Sequence, residues 1–233
     1  MKMKKLLLVA LCLALTSCAE HSTTLPADNT TTSDASARLT GSASDLYKMG
    51  NHYAQGVGTK RDDAKAVEYY EASARKGYAK AEYALGYMYR SGRGVETNYD
   101  VAAAWFGKAA DQGNADAQNS LGVRYLLGQG TAKDYTQAIS WFQKAASQGN
   151  PYAANELGYI YASGKGVPQD YPAALEWYGK AAEHNLPSAE YNLGLMYATG
   201  MGTPVDHAKA QDLFHRAAAK GFLPARRALT QYS

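Results

Sequence analysis

From Asp45 onward the chain repeats itself every 36 residues, and that recurrence limits it to architectures built by stacking one unit on the next. Gly50, Gly86, Gly122, Gly158 and Gly194 share one column, and Tyr53, Tyr89, Tyr125, Tyr161 and Tyr197 another. Two more glycine columns lie two residues apart: Gly56, Gly92, Gly128, Gly164 and Gly200, then Gly58, Gly94, Gly130, Gly166 and Gly202. Ala66, Ala102, Ala138, Ala174 and Ala210 complete the lattice. Five copies follow one another without an insertion.

Each copy reads as two helices. In the third, Ala117, Leu121, Gly122 and Tyr125 fall on one helical face. Gly128-Gln129-Gly130 then ends that helix, because glycine supplies the left-handed backbone of a helix terminus. Asp62, Asn98, Asp134, Asp170 and Asp206 stand where the second helix begins, and their short side chains can cap it. The buried face of the second helix is read as Ala138, Trp141, Phe142 and Ala145. Its end is marked by Gly77, Gly113, Gly149 and Gly221, with Asn185 standing in the fourth copy. A glycine inside a helix costs about 1 kcal/mol relative to alanine, so the Gly122 column needs a steric reason. The expectation is close approach of the paired helix, bringing Ala138 against Gly122, with Tyr125 and Trp141 filling the space between neighbouring pairs.

The two ends depart from the lattice as solenoid caps should. Asp45 and Met49 replace the packing Ala and Leu in the first copy. After Gly221 a sixth first helix starts with Ala225 and Leu229, carries Thr230 in place of glycine, and turns Arg226 and Arg227 to water. The expected fold is all-α: a right-handed α/α solenoid of five 36-residue helix-turn-helix repeats plus a C-terminal capping helix.

The segment before the repeats reads as an address. Three lysines by Lys5 precede an apolar run from Leu6 to Leu15, too short to span a bilayer but suited to a signal peptide. Leu15-Thr16-Ser17-Cys18 resembles the lipobox of bacterial lipoproteins. The expected divisions are a signal peptide over 1–17, a lipidated Cys18 with a Ser/Thr-rich linker over 18–42, and the solenoid over 43–233. Such a linker cannot bury enough apolar surface to order itself, and as a random coil it would span roughly 25–30 Å. Ala19, rather than Asp, follows the cysteine. In enterobacterial-type lipoproteins that residue permits transfer outward, so the resemblance implies a lipid anchor on the periplasmic face of the outer membrane.

Charge and cysteine content remove whole classes of function. The net charge of +3 comes entirely from the three lysines of the leader, leaving the mature chain with equal numbers of acids and bases. No basic footprint for nucleic acid remains. Cys12 lies in the leader and Cys18 in the lipobox, so the body contains no thiol or disulfide and its stability rests on packing. His207 and His215 are eight residues apart, too far for the i, i+4 pairing of a helical zinc site. No Gly-x-Ser-x-Gly elbow, phosphate loop or paired-carboxylate motif occurs. No catalytic residue, metal site or cofactor is therefore expected.

The quoted pattern, Ala-x3-Leu-Gly-x2-Tyr-x2-Gly-x-Gly followed by Asp-Tyr-x2-Ala-x2-Trp-Phe/Tyr-x-Lys-Ala-Ala-x2-Gly, resembles the Sel-one-like repeat family. This family is related to the tetratricopeptide solenoids. The likeness covers residues 43–231 and is clearest over Ala117–Gly149 and Ala153–Asn185. It implies an interaction module whose first helices line a concave face. On that face the offset series gives Lys80, Tyr83, Tyr87 and Arg90, then Asn119, Asn155, Tyr159 and Tyr191, as partner-binding candidates. Tyrosine and amide side chains combine rigid contact area with adaptable hydrogen bonding. Tyr83, Asn119 and Tyr191 belong to a column that is Tyr or Asn in every copy, which is equally what packing would produce. Tyr87, Arg90 and Tyr159 differ more from their column-mates.

The expected function is a membrane-anchored periplasmic adaptor, monomeric, holding a partner protein or peptide in its groove. The first alternative is an immunity protein neutralising a secreted phospholipase-type toxin, a role found in this family. A cell-wall or β-lactam hydrolase is the weakest reading, because the cysteines of the β-lactam-linked branch are absent.

Overall fold

The computed structural model describes residues 39–232; the leader, Cys18 and the linker up to residue 38 lie outside the described residues. Among the described residues there are eleven helices and no strand. They are α1 (Ala43–Gln55), α2 (Asp63–Ala74), α3 (Ala79–Ser91), α4 (Tyr99–Asp111), α5 (Ala115–Leu127), α6 (Tyr135–Ser147), α7 (Pro151–Ser163), α8 (Tyr171–Glu183), α9 (Pro187–Thr199), α10 (His207–Ala219) and α11 (Leu223–Gln231). The chain divides inside α7 into two compact units, whose described parts are residues 39–153 and 154–232. In the first, α1–α2, α3–α4 and α5–α6 pair, and α2 packs on α3 and α4 on α5. In the second, α8, α9, α10 and α11 pack in succession. The fold class is the α/α solenoid.

The helix boundaries follow from the capping chemistry. Asp62, Asn98, Asp134, Asp170 and Asp206 each accept a backbone N–H from the first turn of the following helix. Where Gly77, Gly113, Gly149 and Gly221 end the second helices with φ between 75° and 85°, Asn185 adopts φ 59°. It is the sole non-glycine residue with positive φ among the described residues.

The glycine column has a more specific purpose than helix–helix approach alone. A methyl group at Gly50, Gly86, Gly122, Gly158 or Gly194 would lie 2.5–2.7 Å from a ring carbon of Tyr70, Phe106, Phe142, Tyr178 or Phe214. Each first helix therefore leaves a slot for one aromatic ring of its own second helix, and those rings are fully or nearly fully buried. The Ala138 column is buried as well and comes close too, the carbonyl of its member Ala210 lying 3.3 Å from a side chain built at Gly194, but the ring is nearer: at Gly122 the nearest atoms all belong to Phe142. The expectation for Trp141 is corrected. Trp141 is only half-buried, with the Lys144 ammonium 3.8 Å from its ring centre. Trp105 with Lys108 and Trp177 with Lys180 repeat that arrangement at 4.0 and 4.2 Å. Of two adjacent aromatics, the one facing the glycine is core and the other is lid.

Within each unit, the second glycine of a Gly-x-Gly lets one repeat meet the next. A side chain at Gly130 would collide with the Tyr99 carbonyl, and one at Gly94 with the Asp63 carbonyl, each at the start of the preceding second helix. Gly58, in the first repeat, has open space around it because no repeat precedes it.

The ends behave as caps. Asp45 is exposed and pairs with Lys48, while Met49 is half-buried. On α11, Ala225 and Ala228 are buried, Arg226, Arg227 and Thr230 are exposed, and Tyr232 stacks on Phe214 at 5.9 Å.

These contacts rank two neighbouring substitutions. Phe142→Ala should lose about 3–5 kcal/mol of unfolding free energy. Trp141→Ala should lose no more than about 2 kcal/mol, from partial burial and one exposed cation–π contact. Urea denaturation followed by circular dichroism measures both; equal losses would contradict the core-and-lid assignment.

Candidate partner-binding site

The α3 helix brings Lys80, Tyr83, Tyr87 and Arg90 onto one face, as their spacing of three, four and three residues requires. Lys80 is exposed and the other three are half-buried. The Arg90 guanidinium lies 4.9 Å from the Tyr87 ring centre, so the two form one flat aromatic–cationic surface. Tyr83 leans inward, its ring 5.7 Å from Phe106, the ring that fills the Gly86 slot. Tyr47 on Tyr70 and Tyr191 on Phe214 repeat this contact at 5.8 and 5.9 Å. Tyr191 also meets Phe222 at 5.5 Å. The Tyr column thus covers the slot-filling rings, and its recurrence is explained by packing.

The remaining candidates divide similarly. Asn119 is half-buried, and its Oδ1 is sealed from solvent without a hydrogen-bond donor. Asn155 and Tyr159, expected on an open groove wall, retain only 5% and 8% of their accessible surface. Asn155 accepts from Asn192 at 3.1 Å, and the Tyr159 hydroxyl is engaged by Lys165. Helix packing has drawn both inward, so of the eight candidates Lys80, Tyr87 and Arg90 present the most accessible chemistry.

Three features escaped the sequence reading although the 36-residue columns carry their signal. The first is a buried polar column. Glu82 accepts from Gln112 at 2.6 Å, Gln118 accepts from Gln148 at 2.8 Å, and Glu190 is held by Lys220 and Arg216, both at 2.7 Å. Each tie runs from a first helix to the end of the second helix of the same repeat, and burial raises the Glu82 pKa. The second is the Asp63–Arg93 pair at 2.6 Å, in which Arg93 also donates to the Ala54 carbonyl. Hydrogen bonds from Arg93 and Arg61 hold Asp63 down to about 2. The third is Glu156 on α7, whose burial pushes its pKa up to about 7 against the opposing attraction of Lys165. Among the described residues no group of three His, Cys, Asp or Glu side chains could hold a metal ion, and no helix is long and apolar enough to cross a membrane.

With this geometry in hand, comparison defines the class. The Sel1 repeat matches at residues 43–78, 79–114, 115–150, 151–186 and 187–222, and the chain belongs to that family. A Sel1 repeat protein from Oxalobacter formigenes is 31% identical over 84% of this chain and 77% of its own, with a TM-score of 0.78. The protein c5321, described as a protective antigen present in uropathogenic Escherichia coli strains, is 36% identical over 80% of this chain, with a TM-score of 0.76. This chain spans only 40% of c5321. The immunity protein PA5088 from Pseudomonas aeruginosa is 25% identical over 80% of this chain and 68% of its own, with a TM-score of 0.52. No curated protein sequence matches the chain. Sel1 repeats mediate protein–protein interaction.

Glu156 supplies a pH-dependent test of the second unit. Its folded-state pKa lies above the ordinary carboxylate value of 4.5, so the folded protein holds a proton that the unfolded chain releases. Stability should fall as pH rises from about 4.5 through about 7, and that part of the fall should vanish in Glu156→Gln. Urea titrations at pH 4, 6 and 8 read it: the variant's advantage should grow with pH, and a constant difference would contradict the assignment.

Proposed function

We propose that this chain is a lipid-anchored envelope adaptor that acts by binding a partner protein rather than by catalysis. The observation carrying this reading is the contrast between an invariant lattice and a variable first-helix face. Slot glycines, buried rings and caps recur in all five copies, whereas the equivalents of Lys80, all exposed or half-buried, are Ser44, Asp116, Tyr152 and Ser188. Uniform packing combined with changing surface chemistry suits recognition of one particular partner. Lys80, Tyr87 and Arg90 are its proposed contacts, with Tyr83, Asn119, Asn155, Tyr159 and Tyr191 holding the neighbouring helices in place.

Anchoring through Cys18 at the periplasmic face of the outer membrane is part of the proposal and rests on the basic, apolar and lipobox segments in order. The description of c5321 as a protective antigen supports an envelope setting. The likeness to PA5088 supports a narrower version, in which the partner is a toxin and the chain confers immunity.

Two experiments test these statements. A photo-crosslinking residue at Lys80 or Tyr87 should trap one and the same protein in intact cells, while one at Gln137 should not; identical adducts from both faces would refute the assignment. If that protein is a toxin whose co-expression is lethal only without this chain, the immunity version holds. Cys18→Ser should move the protein from the membrane to the soluble fraction, and unchanged fractionation would exclude the lipid anchor.

A further inference from the structure

The fifth repeat lacks the aromatic lid of the others. Leu213 stands in the column of Trp105, Trp141 and Trp177, and of Tyr69 in the first repeat. Trp105 packs on the core that contains Leu85, and Trp141 on the core that contains Leu121. Tyr69 lies flat on Tyr53, ring centres 5.4 Å apart and planes 14° apart, with the Lys65 ammonium 5.4 Å from the Tyr53 ring centre. The fifth repeat keeps that tyrosine and lysine, with Lys209 5.1 Å from the Tyr197 ring centre, but replaces the stacked ring by a leucine. Beside Leu213 a cleft of 420 Å³ opens between α9 and α10, lined by Leu193, Tyr197, Ala208, Lys209, Asp212 and Leu213. Its volume falls in the roughly 300–1,000 Å³ range of ligand sites. Leu85, Leu121 and Leu157, the column-mates of Leu193, are buried, whereas Leu193 is half-buried. Ala208, Lys209 and Asp212 are exposed, so the cleft is reached from solvent.

The lip of the cleft differs along with the lid. In the fourth repeat Lys180 lies 4.2 Å from the Trp177 ring centre and pairs with Glu176 at 2.6 Å. Arg216 and Asp212 occupy the columns of Lys180 and Glu176. Arg216 is drawn instead to the buried Glu190 at 2.7 Å and reaches Asp212 only at 3.9 Å, leaving the Asp212 side chain 70% exposed. The cleft therefore wants a ring and its lip a cation, which are the two groups that Trp177 and Lys180 supply one helical turn apart in the repeat before. The rest of the chain has no ring to offer: residues 1–38 contain no Phe, Tyr or Trp, and residue 233 is Ser. Both groups must come from another molecule.

We propose that this cleft docks a tryptophan side chain of a partner protein, with a basic residue one helical turn away set against Asp212. The ring takes the place that an aromatic side chain of the protein itself fills in the other four repeats, and the cation complements the open carboxylate. Buried aromatic anchors of this kind carry much of the energy of protein interfaces. The cleft lies in the second unit and adds a second contact to the α3 surface of the first; it rests on the adaptor reading only in taking its occupant from a protein.

The test uses the purified chain and a short alanine-rich helical peptide carrying one Trp-x-x-Lys turn. The methyl resonances of Leu193 and Leu213 should shift saturably as the peptide is added. Leucine in place of the peptide's tryptophan should abolish the response, and glutamate in place of its lysine should weaken binding by about threefold or more at low salt. Leu213→Trp fills the cleft from within; it should lose the response and raise the melting temperature by about 2 °C or more. Asp212→Lys alters only an exposed side chain and should reverse the preference between the lysine and glutamate peptides. Methyl resonances that stay unmoved, or that move equally with the leucine peptide, would overturn the proposal. So would undiminished binding or a lower melting temperature in Leu213→Trp. Free indole binding more tightly than the peptide would make the cleft a small-molecule site, and self-association abolished by Leu213→Trp would assign it to a second copy of the chain; either result rejects the proposal. Crosslinking from Lys80 reads the first unit and these peptides the second, so each can fail alone.

Discussion

Everything in this molecule depends on a ring pressed against a bare backbone. At Gly50, Gly86, Gly122, Gly158 and Gly194 a side chain as small as a methyl would collide with an aromatic ring of the opposing helix. Dispersion between ring and peptide groups, together with removal of the ring from water, offsets the cost of glycine within a helix. Because the slot lies inside each hairpin, every repeat carries its own anchor. At Gly94, Gly130 and Gly202 the second glycine of the Gly-x-Gly then lets the next hairpin of the same unit approach, where a side chain would collide with the backbone at the start of the preceding second helix. One glycine builds the repeat, and the other builds the array.

Against that uniform frame, polar residues placed in buried columns stand out, and their partners distinguish their purposes. Glu190 is completely buried but held by Lys220 and Arg216, so its charge ties α9 to the end of α10. Gln118 and Gln148 make the same tie without charge. These are local solutions to closing a hairpin. Arg124 occupies an equally protected position, and among the described residues it has no carboxylate partner.

Much of this was legible before any coordinate. The caps, the Asn185 substitution and the terminal exceptions at Asp45 and Thr230 all follow from local backbone chemistry, which a sequence states directly. Between Trp141 and Phe142 the sequence was silent, because adjacent residues on a helix point about 100° apart and both are large and aromatic. Tyr159 was misjudged for a related reason: departure from its column marks variation, and variation occurs at half-buried seams as well as on open faces. The buried Glu82–Gln118–Glu190 column and Arg124 were readable in principle, since polar residues recurred or intruded at fixed positions of the repeat. Recognising them required knowing that the column is interior.

Period, helix content, hairpin ends and the identity of the lattice were set by the sequence alone, because glycine conformation, capping and apolar spacing act within a few residues. Which ring enters the glycine slot, which candidate side chains are withdrawn from solvent, and which charge is left without a partner were decided only by tertiary structure. Those outcomes depend on the distance between helices and on what the neighbouring helix presents, and neither is a property of any local stretch of chain.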